Sequence, residues 1–277
     1  MDMMSKQMRK SVSIADINSF RDNGVVVLRG VFGDWMTSLK KGADFHINHP
    51  SESALVHKAD SHQGRFLEDF CCWERIPEYR DFVVNSTLGE VAAQLMQSNT
   101  SQFFHDHYLH KEASSGVPTP WHQDIPYYCV QGSQTVSFWL PLESRDSELS
   151  LRCAAGSHKL EREIRPTSWS NNESFYADDD LFMDIPDIEH SDFEIKQWAI
   201  EPGDVVAFDF RTIHGARANT KGSISRTLSF RLVGDDVTYR QRPGRTSPNF
   251  ADINQQTGER LREDWFPTIW TSERDST

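Results

Sequence analysis

The run Trp121-His122-Gln123-Asp124 sets an imidazole and a carboxylate two positions apart. On a strand, positions i and i+2 project to one face. His122 and Asp124 therefore read as two-thirds of a facial metal triad. The pattern alone is weak, and His190-Ser191-Asp192 repeats it. Context separates the copies. His122 and Asp124 close an extended stretch behind Pro118 and Pro120, whereas His190 and Asp192 sit in an acidic loop. Further on, the apolar stretch Phe208-Asp209-Phe210 leads to His214 beside Gly215, a residue that leaves room. Arg226 then heads the alternating run Arg226-Thr227-Leu228-Ser229-Phe230-Arg231-Leu232. A hairpin turning near Thr220 sets position 214 across from 226. Two neutral imidazoles and a carboxylate can hold a divalent iron on one octahedral face, leaving three positions open. A 2-oxo acid fills two of these through its keto oxygen and C1 carboxylate, and dioxygen takes the third. A distal carboxylate on that acid suits a guanidinium fork.

Composition narrows the setting. The 277 residues include 17 Phe, 8 Trp and 6 Tyr, with 37% hydrophobic and 25% charged residues, so a folded globular chain is expected. Lys and Arg number 29 against 41 Asp and Glu, a formal charge of -12. That balance argues against general nucleic-acid or membrane binding. Apolar runs such as Gly24-Val25-Val26-Val27-Leu28 are far shorter than the roughly 20 residues of a spanning helix. The N-terminal ten residues show no apolar signal core. Cys71, Cys72, Cys129 and Cys153 match no zinc spacing and read as reduced thiols, which points to a cytoplasmic protein.

Helices are expected in the first hundred residues: Ser13 to Asn23 with Ser13 as cap, Trp35 to Asp44, and Pro77 to Ser98. Val25 to Arg29 reads as a buried strand, and His46 to Gly64 as a loop. From Ser101 the period becomes two. Gln102–His110, Thr119–Asp124, Thr135–Leu142, Ser150–Ala154, Ile195–Ile200, Val205–Phe210 and Ser225–Val233 read as strands separated by turn residues. Many short strands without intervening helices indicate an antiparallel sandwich or barrel. The expectation is mainly β with α: a double-stranded β-helix, or jelly roll, flanked by N-terminal helices. One domain is expected over 1–277, with a helical layer 13–98, a jelly-roll core 101–235 and a C-terminal extension 236–277. The acidic insertion 171–192 suggests either a solvated loop or a lid.

The chain resembles the phytanoyl-CoA dioxygenase-like branch of the iron(II)- and 2-oxoglutarate-dependent oxygenases. The resemblance runs from about Val25 to Pro267. It rests on Trp121-His122-Gln123-Asp124-Ile125-Pro126-Tyr127, Ser137-Phe138-Trp139-Leu140-Pro141-Leu142, Ala155-Gly156-Ser157-His158-Lys159, Pro202-Gly203-Asp204 leading to His214-Gly215, and Arg226. It implies iron at His122, Asp124 and His214, 2-oxoglutarate held by Arg226, and Trp139 beside that cosubstrate. It further implies that O2 is consumed, 2-oxoglutarate becomes succinate and CO2, and a C–H bond of a small-molecule substrate is hydroxylated. A carboxylate at 124, where related halogenases carry a small residue, favours hydroxylation. Ser147 to Ala155 departs from the family's acidic-glycine turn, so the substrate stays open. An alternative is a non-catalytic, metal-binding jelly-roll module.

Other polar groups carry weaker readings. His105 and His107 share a strand face without a completing carboxylate, which suits a structural or substrate-facing role. Lys111 fits a family strand without an assigned role. Arg65, Arg152 and Lys159 are candidate anion contacts. His158 reads as a turn residue, and the Asp178-Asp179-Asp180 run lacks the glycine and ligand spacing of a calcium loop.

Overall fold

The computed structural model describes residues 12–58, 64–168, 173–176, 181–219 and 223–272. Helix α1 (Ile14–Asn23) starts from a capping box: Ser13 Oγ accepts from Asp16 N–H at 3.1 Å, and the Asp16 carboxylate accepts from Ser13 N–H at 3.0 Å. It stops at Gly24, whose φ of 73° lies in the left-handed region that glycine adopts freely. Helices α2 (Met36–Asn48), α3 (Pro77–Asn85) and α4 (Leu88–Met96) complete the helical layer.

Two antiparallel sheets follow. The strands of the larger are β1 (Val25–Leu28), β2 (Leu55–Lys58), β3 (Arg65–Phe70), β4 (Thr100–Lys111), β6 (Thr135–Pro141), β9 (Val205–Phe208), β11 (Ser225–Val233) and β12 (Thr268–Thr271). The smaller holds β5 (Thr119–His122), β7 (Arg152–Ala154), β8 (Ile195–Lys196) and β10 (His214–Ala216). The large sheet runs β1-β9-β6-β11-β4-β3-β2, with β12 beside β4; the small sheet runs β8-β7-β10-β5. This is the jelly roll expected from the strand pattern.

Alternation divides the large sheet into two chemistries. Its outer face presents Phe103, Tyr108, Phe138, Leu140, Leu228 and Phe230 to the helices, where Leu39, Tyr79, Phe82 and Leu88 complete a buried core. Phe82 and Phe230 pack with ring centroids 4.9 Å apart. Burying such a side chain is worth about 1.5–3 kcal/mol each, so this layer anchors the sheet. The inner face carries His107, Lys111, Ser137, Trp139, Thr227, Ser229 and Arg231. A polar inner face on a buried sheet is costly unless its groups are hydrogen-bonded, and Ser137, His107, Lys111 and Arg231 each find a partner.

Three local expectations change. Residues 46–64 are not all loop, because α2 runs on to Asn48 and Leu55–Lys58 pairs with β3 as an edge strand. The buried positions of β3 include Glu68 and Asp69, which hides its strand character from a hydrophobicity pattern. The helix over Pro77–Ser98 is two helices, broken where Ser86 becomes extended and its Oγ accepts from Leu88 N–H at 3.1 Å. Finally, β10 and β11 do not form a hairpin. They lie in opposite sheets, and His214 pairs with His122 and Cys153 rather than with Arg226.

Candidate metal centre and its two cavities

β5 and β10 bring the metal-ligating candidates together by register. His122 and His214 are direct cross-strand partners with ring centroids 4.2 Å apart. Asp124 follows β5, and its backbone N–H donates to Phe210 O at 2.9 Å. One ligand atom from each of His122, Asp124 and His214 lies within 4.8 Å of the others, and all three residues are buried. Gly215 permits this approach: a Cβ there would lie 3.0 Å from Thr119 O.

The hydrogen bonds around the triad leave three ligand atoms aimed at one point. His122 Nδ1–H donates to Pro120 O at 2.8 Å, and His214 Nδ1–H donates to Thr212 O at 2.9 Å. Their Nε2 atoms stand 3.6 and 3.7 Å from Asp124 Oδ1. The other carboxylate oxygen, Oδ2, accepts from Ser137 Oγ at 3.0 Å and from Arg231 Nε at 3.3 Å. Partners of this kind fix ligand tautomer and orientation. Burial and neighbouring His122 push the His214 imidazole down to about 3, so it is neutral at physiological pH. Burial opposes ionisation of Asp124, but Arg231 and the facing imidazoles outweigh it and hold the carboxyl well below the usual range. Two neutral nitrogens and one ionised oxygen on one face are the donor set that suits a divalent metal with open positions.

Two cavities meet at this point. One, with about 70 Å³ of free volume, is lined by Lys111, Thr119, Trp139, Arg145, His214 and Arg231, among others. Lys111 Nζ donates to Thr119 Oγ1 at 3.1 Å and lies 4.6 Å from the centre of the Phe66 ring. Burial pulls its ammonium down to about 8. Arg145 is 7% exposed, and its buried Nε has no hydrogen-bond partner among the described residues. The second cavity, of about 420 Å³, reaches His122 and Asp124 from the other side and is walled by Phe70, Tyr127, Tyr128 and Phe175.

The expected cosubstrate pair separates. Trp139 lies on the inner face and lines the narrow cavity. Arg226 is not among the residues that line it. Strand alternation puts it with Leu228 and Phe230 on the outer face of β11. There its Nε donates to Glu143 Oε1 at 2.8 Å and its Nη1 to Asp44 Oδ1 at 2.5 Å. The sequence reading missed Arg231 and Arg145. For Arg231 the signal was present: Leu228, Phe230 and Leu232 alternate with Thr227, Ser229 and Arg231, so one parity had to face a polar interior. Arg145 lies in a loop, where no period marks it.

The remaining candidates resolve into supports. Arg152 makes a bidentate pair with Glu189, at 2.6 and 2.8 Å, and lies 4.8 Å from the Trp121 ring centre, tying the acidic insertion to the sheet. Within that insertion, residues 171–172 and 177–180, including the Asp178-Asp179-Asp180 run, lie outside the described residues. His158 Nε2–H donates to Arg21 O at 3.1 Å, as a turn residue would. Lys159 Nζ donates to Asp22 O at 2.8 Å, and Arg65 pairs with Glu112 at 2.6 Å. His190 pairs with Asp187 on the surface. A second ligand-type group, His46, Asp69 and Cys72, is satisfied without a metal: His46 Nε2–H donates to Asp69 at 2.9 Å, and Asp69 also accepts from Ser51 Oγ at 2.5 Å. Among the described residues, no helix is long and apolar enough to cross a membrane.

Fold and centre together define a jelly-roll protein with a facial two-histidine, one-carboxylate site. Residues 20–227 match the phytanoyl-CoA dioxygenase (PhyH) family, and the chain belongs to it. No curated protein sequence matches the chain. Solved structures share its fold. The non-heme alpha ketoglutarate dependent carbocyclase SnoK from nogalamycin biosynthesis superposes with a TM-score of 0.73 at 23% identity, covering 94% of this chain and 97% of that one. The epimerase SnoN, in complex with Fe3+, alpha ketoglutarate and nogalamycin RO, gives 0.70 at 18% identity, with coverage of 92% and 98%. EctD from S. alaskensis, with 2-oxoglutarate and 5-hydroxyectoine, gives 0.65 at 17% identity, with coverage of 97% and 88%.

Proposed function

We propose that the chain is an iron(II)- and 2-oxoglutarate-dependent dioxygenase that hydroxylates a C–H bond of a small molecule. The observation that carries this reading is the convergence of His122, Asp124 and His214, with both Nδ1 hydrogens committed to backbone carbonyls. Membership of the PhyH family and the iron and alpha ketoglutarate bound by SnoN support it. Bound iron would supply the oxidising chemistry, coupling decarboxylation of the oxo acid to attack on the substrate. The chain's part is to bind, orient and exclude water. His122, Asp124 and His214 would hold the metal, and Ser137 and Arg231 would keep the second carboxylate oxygen of Asp124 turned away from it.

The narrow cavity suits 2-oxoglutarate. Its distal carboxylate would lie against Lys111 and the unsatisfied Nε of Arg145, with Trp139 alongside. Arg145 pairs with Glu143 through Nη2 at 3.4 Å, and its unbonded Nε is a buried donor that an incoming carboxylate would satisfy. The wide cavity would take the substrate. Residues 1–277 are taken as one catalytic domain, with the 171–192 insertion contributing Phe175 to the substrate wall. The test is succinate formation from 2-oxoglutarate by iron-loaded protein. Turnover that disappears in Asp124→Ala supports the reading. A protein that binds iron yet neither binds nor decarboxylates 2-oxoglutarate fits the metal-binding module instead.

A further inference from the structure

His107 and Arg231 line both cavities, and the wide one also reaches Glu68 behind His107. Glu68 on β3 is 3% exposed, and its carboxylate faces two imidazoles, His57 Nε2 at 2.6 Å and His107 Nε2 at 3.0 Å. Burial opposes ionisation of Glu68, but the two imidazoles outweigh it and draw the carboxyl down to about 2. An ionised carboxylate only accepts hydrogen bonds, so each facing Nε2 carries the hydrogen. Burial lowers the His107 imidazole from its usual value, outweighing the opposing Glu68 carboxylate, and so favours the neutral ring. Its Nδ1 then presents a lone pair, and no described residue bonds that atom. The ring stacks on Phe70, with centroids 3.9 Å apart and planes at 17°, which fixes its orientation.

Arg231 supplies the complementary group. It is 5% exposed, and its buried Nη1 lacks a hydrogen-bond partner among the described residues. Ser229 pairs with His107 and Arg231 with His105, so Arg231 and His107 are diagonal neighbours on one face of β11 and β4. Both line the wide cavity beside His122 and Asp124. An unsatisfied donor thus stands near an unsatisfied acceptor. A carboxylate, carbonyl or ether oxygen can only accept, and an ammonium can only donate. A hydroxyl does both. The rest of the cavity is mixed: Phe70, Tyr127, Tyr128 and Phe175 supply aromatic walls, Thr167, Arg245 and Ser247 add polar groups, and Leu55 and Val56 are 46% and 50% exposed. Its volume of about 420 Å³ falls within the span of small-molecule sites.

We propose that His107, backed by Glu68, and Arg231 together receive a hydroxyl group of the substrate, whose body packs against the aromatic walls of the cavity. This deepens the reading of the metal centre given above and rests on it for the word substrate. His57 serves as a positioning residue through Glu68. A site built to bond a hydroxyl discriminates against an analogue that lacks the hydrogen, because its own buried groups are then left unmatched.

The test is isothermal titration calorimetry on the full chain with a matched pair of probes, 2-naphthol and 2-methoxynaphthalene. The two differ by a methyl group in place of the donating hydrogen, and the variants control for its bulk. Wild-type protein is expected to bind the naphthol about tenfold more tightly than its methyl ether. Glu68→Gln lets an amide N–H donate to His107 Nε2 and turns Nδ1 into a donor, so the preference should vanish while ether affinity holds. His107→Phe should do the same. Equal binding of the two probes by wild type, or no binding of the naphthol, overturns the proposal whether or not the variants fold. A preference that survives both folded variants also overturns it. Succinate release is scored separately. Its loss with the naphthol preference intact removes the iron reading alone, and its presence without that preference removes this inference alone.

Discussion

His122 and His214 occupy opposed positions on β5 and β10, and each donates its Nδ1 hydrogen to the carbonyl two residues before it, Pro120 O at 2.8 Å and Thr212 O at 2.9 Å. The same local device thus sets both tautomers, and both Nε2 lone pairs point toward Asp124. Replacing either histidine by alanine should lower divalent-metal affinity by at least about 100-fold, with the fold retained, because the outer apolar layer does not touch these rings. Calorimetric titration with a divalent metal checks this, with circular dichroism as the control for folding.

Ser137 Oγ bonds the carboxylate oxygen of Asp124 that faces away from the imidazoles. Ser137→Ala removes that bond without touching a ligand atom. Metal affinity should fall by about tenfold, the scale seen when outer partners of metal ligands are lost. Full affinity in this variant would show that Arg231 alone orients the carboxylate.

Arg226 and Arg145 make opposite predictions. Arg226 stands 18% exposed between Glu143 and Asp44, on the helix side of the sheet. Arg226→Ala should lower stability by about 1 kcal/mol, given partial solvent screening of the pair, and leave 2-oxoglutarate affinity within about twofold. Arg145→Ala should weaken 2-oxoglutarate binding by about tenfold or more, because it removes a charge-assisted contact. Thermal unfolding and 2-oxoglutarate titration of the two variants separate these outcomes.

Lys111 gives the pH dependence. Burial lowers its ammonium from the ordinary lysine value to about 8. The folded-state value thus lies below the unfolded one, so between about 8 and 10.5 the unfolded chain binds more protons and Lys111 contributes a rise in stability with pH. Carboxylate binding favours the charged ammonium. Affinity for 2-oxoglutarate should therefore fall as pH rises through 8, and binding near that pH should take up a proton. Lys111→Arg, charged throughout, should flatten the profile; calorimetry in buffers of different ionisation enthalpy reads the proton uptake.

Much of this was legible in the residues. The strand period, the helix start at Ser13, and the pairing of His122 and Asp124 with His214 follow from local rules of alternation, capping and ligand chemistry. Arg226 shows where such reading fails. Counting equal steps from an assumed turn near Thr220 placed it opposite His214, but the intervening chain crosses from one sheet to the other. Its parity with Leu228 and Phe230 already assigned it to the apolar face, and alternation within a strand is the stronger constraint. The Glu68 relay was hidden for a different reason. A charged residue on a buried strand face erases the hydrophobic pattern, and its partners His57 and His107 come from two other strands.

The central claim is tested most directly by anaerobic titration of the iron(II)-loaded protein with 2-oxoglutarate, followed by visible absorption. A metal-to-ligand charge-transfer band that saturates at one equivalent, and is lost in Asp124→Ala but kept in Arg226→Ala, is the result expected. No band in the wild type, or one that persists without Asp124, contradicts the assignment of this site.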